Sequence, residues 1–75
     1  MQKEELVQNW RERIIALCES KLGRKLITKE IAYIGSLDTF QALEYLQNEA
    51  ELAASNELEI HLEEVVSLFE NSIKT

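Results

Sequence analysis

Proline is absent from this 75-residue chain, and glycine occurs only twice, at Gly23 and Gly35. A β-sandwich or barrel needs a tight reversal every few residues, so this scarcity points to helices. The one cysteine, Cys18, cannot close an internal disulfide, which leaves packing to hold the fold and makes a reducing cytoplasm the expected compartment. The one histidine, His61, has no second His or Cys spaced to share a metal ion, so no metal site is expected. No apolar run approaches a bilayer span, and the start Met1, Gln2, Lys3, Glu4, Glu5 is unlike a secretory leader, so no membrane association is expected.

Positive charge is missing from most of the second half. From Asp38 onward nine acids (Asp38, Glu44, Glu49, Glu51, Glu57, Glu59, Glu63, Glu64, Glu70) stand against Lys74 alone, within an overall net charge of −6. Such a surface repels nucleic acid and anionic lipid and favours basic partners. A weak echo of a helix-turn-helix at Thr28 to Ala32, followed by Gly35 and Leu43, fails on the same ground, because its recognition helix would carry Asp38, Glu44, Glu49 and Glu51. A hydrophobic content of 45% supports one core, so a single domain over residues 1–75, monomeric, is expected. No Ser-His-acid arrangement or phosphate-cradling glycine loop is present, and a bundle this small can hardly form a cleft; the protein is not expected to be an enzyme.

Apolar spacing predicts a first helix from Lys3 to Leu22, with Leu6, Val7, Trp10, Ile14, Leu17 and Cys18 on one side. Leu22-Gly23 reads as its stop. Residues 24–34 read as a connection anchored by Leu26, Ile27, Ile31 and Ile34, in which Thr28 could cap one or two helical turns. The next helix is expected to begin near Ser36 or Asp38. There Asp38-Thr39-Phe40-Gln41 fits a capping box, and Leu37 and Ala42 are spaced as a hydrophobic staple. Its core stripe is Leu43, Leu46, Ala50, Ala53 and Ala54. Ser55-Asn56 reads as a break and a new N-cap, followed by a stripe of Leu58, Leu62, Val65, Val66, Phe69 and Ile73. Ile60 leaves this stripe unless a kink near Glu63-Glu64 turns it inward. The expected fold is all-α, a small antiparallel bundle of three to four helices.

Gly35-Ser36-Leu37-Asp38-Thr39, with the acidic helix after it, resembles the prosthetic-group site of acyl carrier proteins. The resemblance runs ungapped from Ser36 to the end. Leu46 falls on an apolar position of that family, Ala54-Ser55-Asn56-Glu57 covers its Ile-Pro-Asp-Glu turn, and Leu62, Val65 and Phe69 cover later apolar positions. Two departures stand out: Gly35 replaces the family's aspartate, and the loop before the serine is several residues shorter. The resemblance implies an acyl-carrier-like bundle in which Ser36, at a helix entrance, accepts 4′-phosphopantetheine from coenzyme A. The arm would carry acyl, polyketide or aminoacyl intermediates as thioesters. It further implies a phosphopantetheinyl transferase and basic acyl-transferring or condensing enzymes as partners, docking on Leu37, Asp38, Phe40, Gln41, Glu44, Gln47, Asn48 and Glu51. The alternative expectation is an acidic helical interaction module, adaptor or inhibitor, in which Ser36 stays unmodified.

Overall fold

The computed structural model describes residues 3–74 and contains four helices: α1 (Lys3–Leu22), α2 (Thr28–Gly35), α3 (Phe40–Leu52) and α4 (Ser55–Lys74). The described residues form a small all-α bundle without strands. α1 is the hub, packing against α3, α4 and α2, while α2 also packs on α4. Successive helices alternate in direction. Trp10 meets Phe40 near the start of α3, whereas Lys21 donates to the Glu51 carbonyl near its end, so α1 and α3 run the same way. Arg24, just past the end of α1, reaches Glu59 early in α4, and Tyr33 late in α2 meets Phe69 late in α4. α2 and α4 therefore return against α1 and α3, with α1 packed on α3 and α4, and α2 on α4.

Val7, Ile14 and Cys18 of α1, Leu26, Ile34 of α2, Leu43, Leu46 and Ala50 of α3, and Leu58, Leu62 and Val66 of α4 are buried together. These are the stripes expected from spacing, at narrower width. Leu6 is about half exposed, and Ala54 is exposed because it sits in the α3–α4 turn. Ile60 also stays outside: α4 is continuous from Ser55, with no interruption at Glu63-Glu64 to rotate it inward. The side chain of Ile73 lies outside the described ones.

Helix boundaries follow identifiable backbone chemistry. α1 places Glu4 and Glu5 in its first turn and Lys21 in its last, matching the helix dipole. It ends where Gly23 adopts φ 71°, a left-handed conformation that costs glycine nothing, and the Gly23 N–H closes on the Glu19 carbonyl at 2.9 Å. The connection expected over residues 24–34 is largely a helix. Its N-cap is Ile27 rather than Thr28, so no side-chain hydroxyl caps it; the Glu30 carboxylate instead accepts the Ile27 N–H at 3.0 Å. α4 begins the same way, with Glu57 accepting the Ala54 N–H at 3.0 Å and Ser55 already inside the helix. Both are the reverse half of a capping box.

Glu30 is the one buried charged residue among those described. Arg24 makes that burial tolerable by donating from Nη1 and Nη2 to separate Glu30 oxygens, each at 3.0 Å. The same guanidinium donates from Nε to Glu59 on α4 at 3.2 Å and from Nη1 to the Lys25 carbonyl at 3.0 Å. Hydrogen bonds from Arg24 hold the Glu30 carboxyl below its usual range; burial opposes this and the Ile27 N–H assists. A carboxyl depressed in the fold contributes stability that is fully present above the ordinary glutamate range and is lost as pH falls through the lower folded value. Arg24→Met should therefore destabilise the protein by about 2–3 kcal/mol at neutral pH, near the low end for a broken buried pair because Arg24 keeps some solvent contact. Urea denaturation checks this. The gap between variant and parent should narrow as pH falls below the ordinary glutamate range and the parent's Glu30, depressed by Arg24, finally takes up its proton.

Candidate functional site: the Ser36 loop and the α1–α3 face

The loop joining α2 to α3, residues 36–39, carries the serine singled out by sequence. Its placement corrects the expectation. Ser36 is the C-cap of α2 (φ −81°, ψ −15°), and its N–H bonds back to the Ala32 and Tyr33 carbonyls at 3.1 and 3.0 Å. Its hydroxyl donates to the Tyr33 carbonyl at 2.6 Å. The side chain is exposed, yet it stands at the negative end of α2 rather than the positive end of α3. The reason is that the segment before it forms a full helix, whose last carbonyls need donors; the serine supplies one.

The entrance of α3 belongs to Thr39, extended at φ −111°, ψ 149°, whose Oγ1 accepts the Ala42 N–H at 3.2 Å. This is one residue later than the capping box read at Asp38, so Gln41 does not close a reciprocal bond and the Leu37–Ala42 staple is out of register. Threonine and aspartate cap comparably, and the sequence alone could not choose between them.

Arg11 fixes the loop from α1. Its Nε and Nη2 both donate to the Leu37 carbonyl, at 2.9 and 2.7 Å. Leu37 itself is half-buried against the core. Asp38 is exposed and shares a shallow depression with Glu4, Val7 and Arg11.

The remaining residues of the expected docking face divide in two. Gln47 is turned inward: its Oε1 accepts the Trp10 indole N–H, and its Nε2 donates to Glu51 at 3.4 Å. Phe40 lies against the Trp10 ring, with centroids 5.7 Å apart, and remains about half exposed. Gln41, Glu44, Asn48 and Glu51 are exposed. The face is thus not one open surface, because α1 covers the side that Gln47 occupies. Neither Trp10 as donor to α3 nor Arg11 as clamp was visible from spacing, since each contact joins residues more than twenty positions apart.

Other chemistry-bearing groups are quiet. Cys18 is fully buried, and burial first, then Glu30 and Glu19, pushes its thiol up to about 11, which suppresses the nucleophilic thiolate. His61 packs near Tyr45, with ring centroids 6.2 Å apart. Among the described residues no group of His, Cys, Asp and Glu is arranged to hold a metal ion, and no helix is long and apolar enough to cross a membrane. No family model, no curated protein and no solved structure matches the chain.

The two hydroxyls of the loop should separate experimentally. Thr39→Ala removes the acceptor at the α3 entrance and should cost about 1 kcal/mol. Ser36→Ala removes an exposed hydroxyl beside carbonyls that water can reach, and should cost less than about 0.5 kcal/mol. Thermal unfolding of the two variants beside the parent measures both. Native Cys18 should also resist alkylation by iodoacetamide at about pH 8 and react on unfolding, as mass spectrometry would report.

Proposed function

We infer that the protein is a non-catalytic interaction module whose acidic α3–α4 surface recognises a basic partner. The observation carrying this reading is the state of its carboxylates. The carboxylates of Glu44, Glu49, Glu63 and Glu64 make no hydrogen bond or ion pair among the described residues, and none is fully buried. No cation stands on α3, and on α4 only Lys74 at its last turn. Unneutralised like charges raise the local potential and speed encounter with positive surfaces more than they tighten the final complex. Recognition then requires no modification of Ser36, whose hydroxyl is already used to end α2.

The carrier reading stands second. It is favoured by one feature, the exposure of Ser36 on a short loop next to an acidic helix. In that reading Ser36 Oγ would be esterified by the phosphate of 4′-phosphopantetheine, and the hydroxyl would exchange its bond to the Tyr33 carbonyl for the ester. Arg11, which reaches this loop from α1, is committed to the Leu37 carbonyl.

Two measurements decide. Incubation with coenzyme A, magnesium and a broad-specificity phosphopantetheinyl transferase, read by intact mass, should leave the protein unchanged; an adduct that disappears in Ser36→Ala would establish the carrier instead. Binding to a partner captured from the source cells should weaken about tenfold in the Glu44→Lys, Glu63→Lys double variant and weaken further with added salt. Binding indifferent to both charge and salt would remove the interaction reading.

A further inference from the structure

Leu6, Asn9, Trp10 and Arg13 of α1 and Phe40 of α3 line a groove between the two helices. Leu6 is 45% exposed and Phe40 46%, and the half-buried Trp10 ring forms part of the wall between them. Arg13 stands beside these apolar surfaces and is exposed. Every other described lysine or arginine side chain is engaged: Arg11 with the Leu37 carbonyl, Lys21 with the Glu51 carbonyl, Arg24 with Glu30 and Glu59, Lys25 with Glu19, and Lys29 with Glu70. Among the described lysine and arginine side chains, Arg13 alone has no hydrogen bond or ion pair to another described residue.

We propose that this groove is the anchoring subsite for an amphipathic helical segment of a partner protein, one that inserts a bulky apolar side chain against Trp10, Leu6 and Phe40 and sets a carboxylate on Arg13. The proposal rests on the interaction-module reading and deepens it by fixing the partner's chemistry. Tryptophan, arginine and a second aromatic side chain around a concavity are the composition that concentrates binding energy at interfaces. Charge decides the occupant. A partner drawn in by the acidic α3–α4 surface would, if uniformly basic, place like charge against Arg13. A segment that fits must carry an acidic flank toward α1 and a basic flank toward α3, where Glu44, one turn beyond Phe40, is exposed and its carboxylate has no partner among the described residues. A second copy of this chain is disfavoured, because two bodies of net charge −6 repel.

Trp10 is the only tryptophan, so its emission reports the groove directly. The probes are three synthetic peptides of about four helical turns with the same leucine and phenylalanine stripe. One has Glu along one flank and Lys along the other, one has Lys on both flanks, and one has Glu on both. The mixed peptide should shift Trp10 emission and bind about tenfold tighter than either control. Arg13→Glu, an exposed substitution that should leave the fold intact, should transfer the preference to the all-Lys peptide. Equal binding of mixed and all-Lys peptides to the parent overturns the groove proposal while leaving a basic partner in place. Calorimetry at low salt that finds no binding of any Lys-bearing peptide overturns both. Trp10 emission that changes with protein concentration alone would assign the groove to a second copy and overturn the proposal too.

Discussion

The Arg24 guanidinium is the knot on which the arrangement depends. It follows α1 immediately, and it ties the incoming end of α2 through Glu30 and the first turns of α4 through Glu59. A carboxylate as buried as Glu30 is tolerated because its oxygens are used: one accepts from Arg24 and from the Ile27 N–H, the other from Arg24. The same carboxylate that neutralises the arginine also starts the helix. If α2 did not form there, the 36–39 loop would lose its anchor at the end of α2 and would be held only by the Arg11 clamp on Leu37 and the Thr39 cap of α3.

The distribution of charge along the chain acquires a physical meaning from this. The cations cluster before residue 30, and nearly all those described are spent inside the molecule, on carbonyls and on acids of the same region or of α4. Glu44 of α3 and Glu63 and Glu64 in the middle of α4 are left to solvent. A simple count of net charge thus understates how negative the outward field is on that side. It also hides that Arg13, unpaired among the described residues, is exposed beside the Trp10–Phe40 aromatic pair.

Most of the architecture was legible in the sequence. Gly23 as the end of α1, a break between α3 and α4 (read at Ser55-Asn56 and found at Ala53-Ala54), and most of the buried stripes of α1, α3 and α4 follow from helical spacing and turn chemistry. α2 was underestimated because its N-cap, Ile27, has no acceptor of its own. The usable signal was Glu30 three residues later, the acidic half of a capping box without the hydroxyl half. That error carried into the site. With α2 read as a connection, Ser36 looked like the beginning of a helix, whereas a formed α2 makes it the end of one. Thr39 and Asp38 are adjacent and both able to cap, and the structure gives the role to Thr39. The groove was the least legible feature, since it joins residues of two helices that pairwise spacing treats independently.

Because successive helices alternate in direction, the first turn of α1 and the last turn of α4 emerge at the same pole of the bundle, next to the Ser36 loop. The α3–α4 turn at Ala53-Ala54 sits at the opposite pole, near Arg24. A circular permutant that bridges the two helix ends with a flexible linker and opens the chain at Ala53-Ala54 would keep all four helices and every long-range contact described, while moving both free ends to the far side. The fold is in that sense indifferent to where its thread is cut, provided that the cut spares the arginine knot.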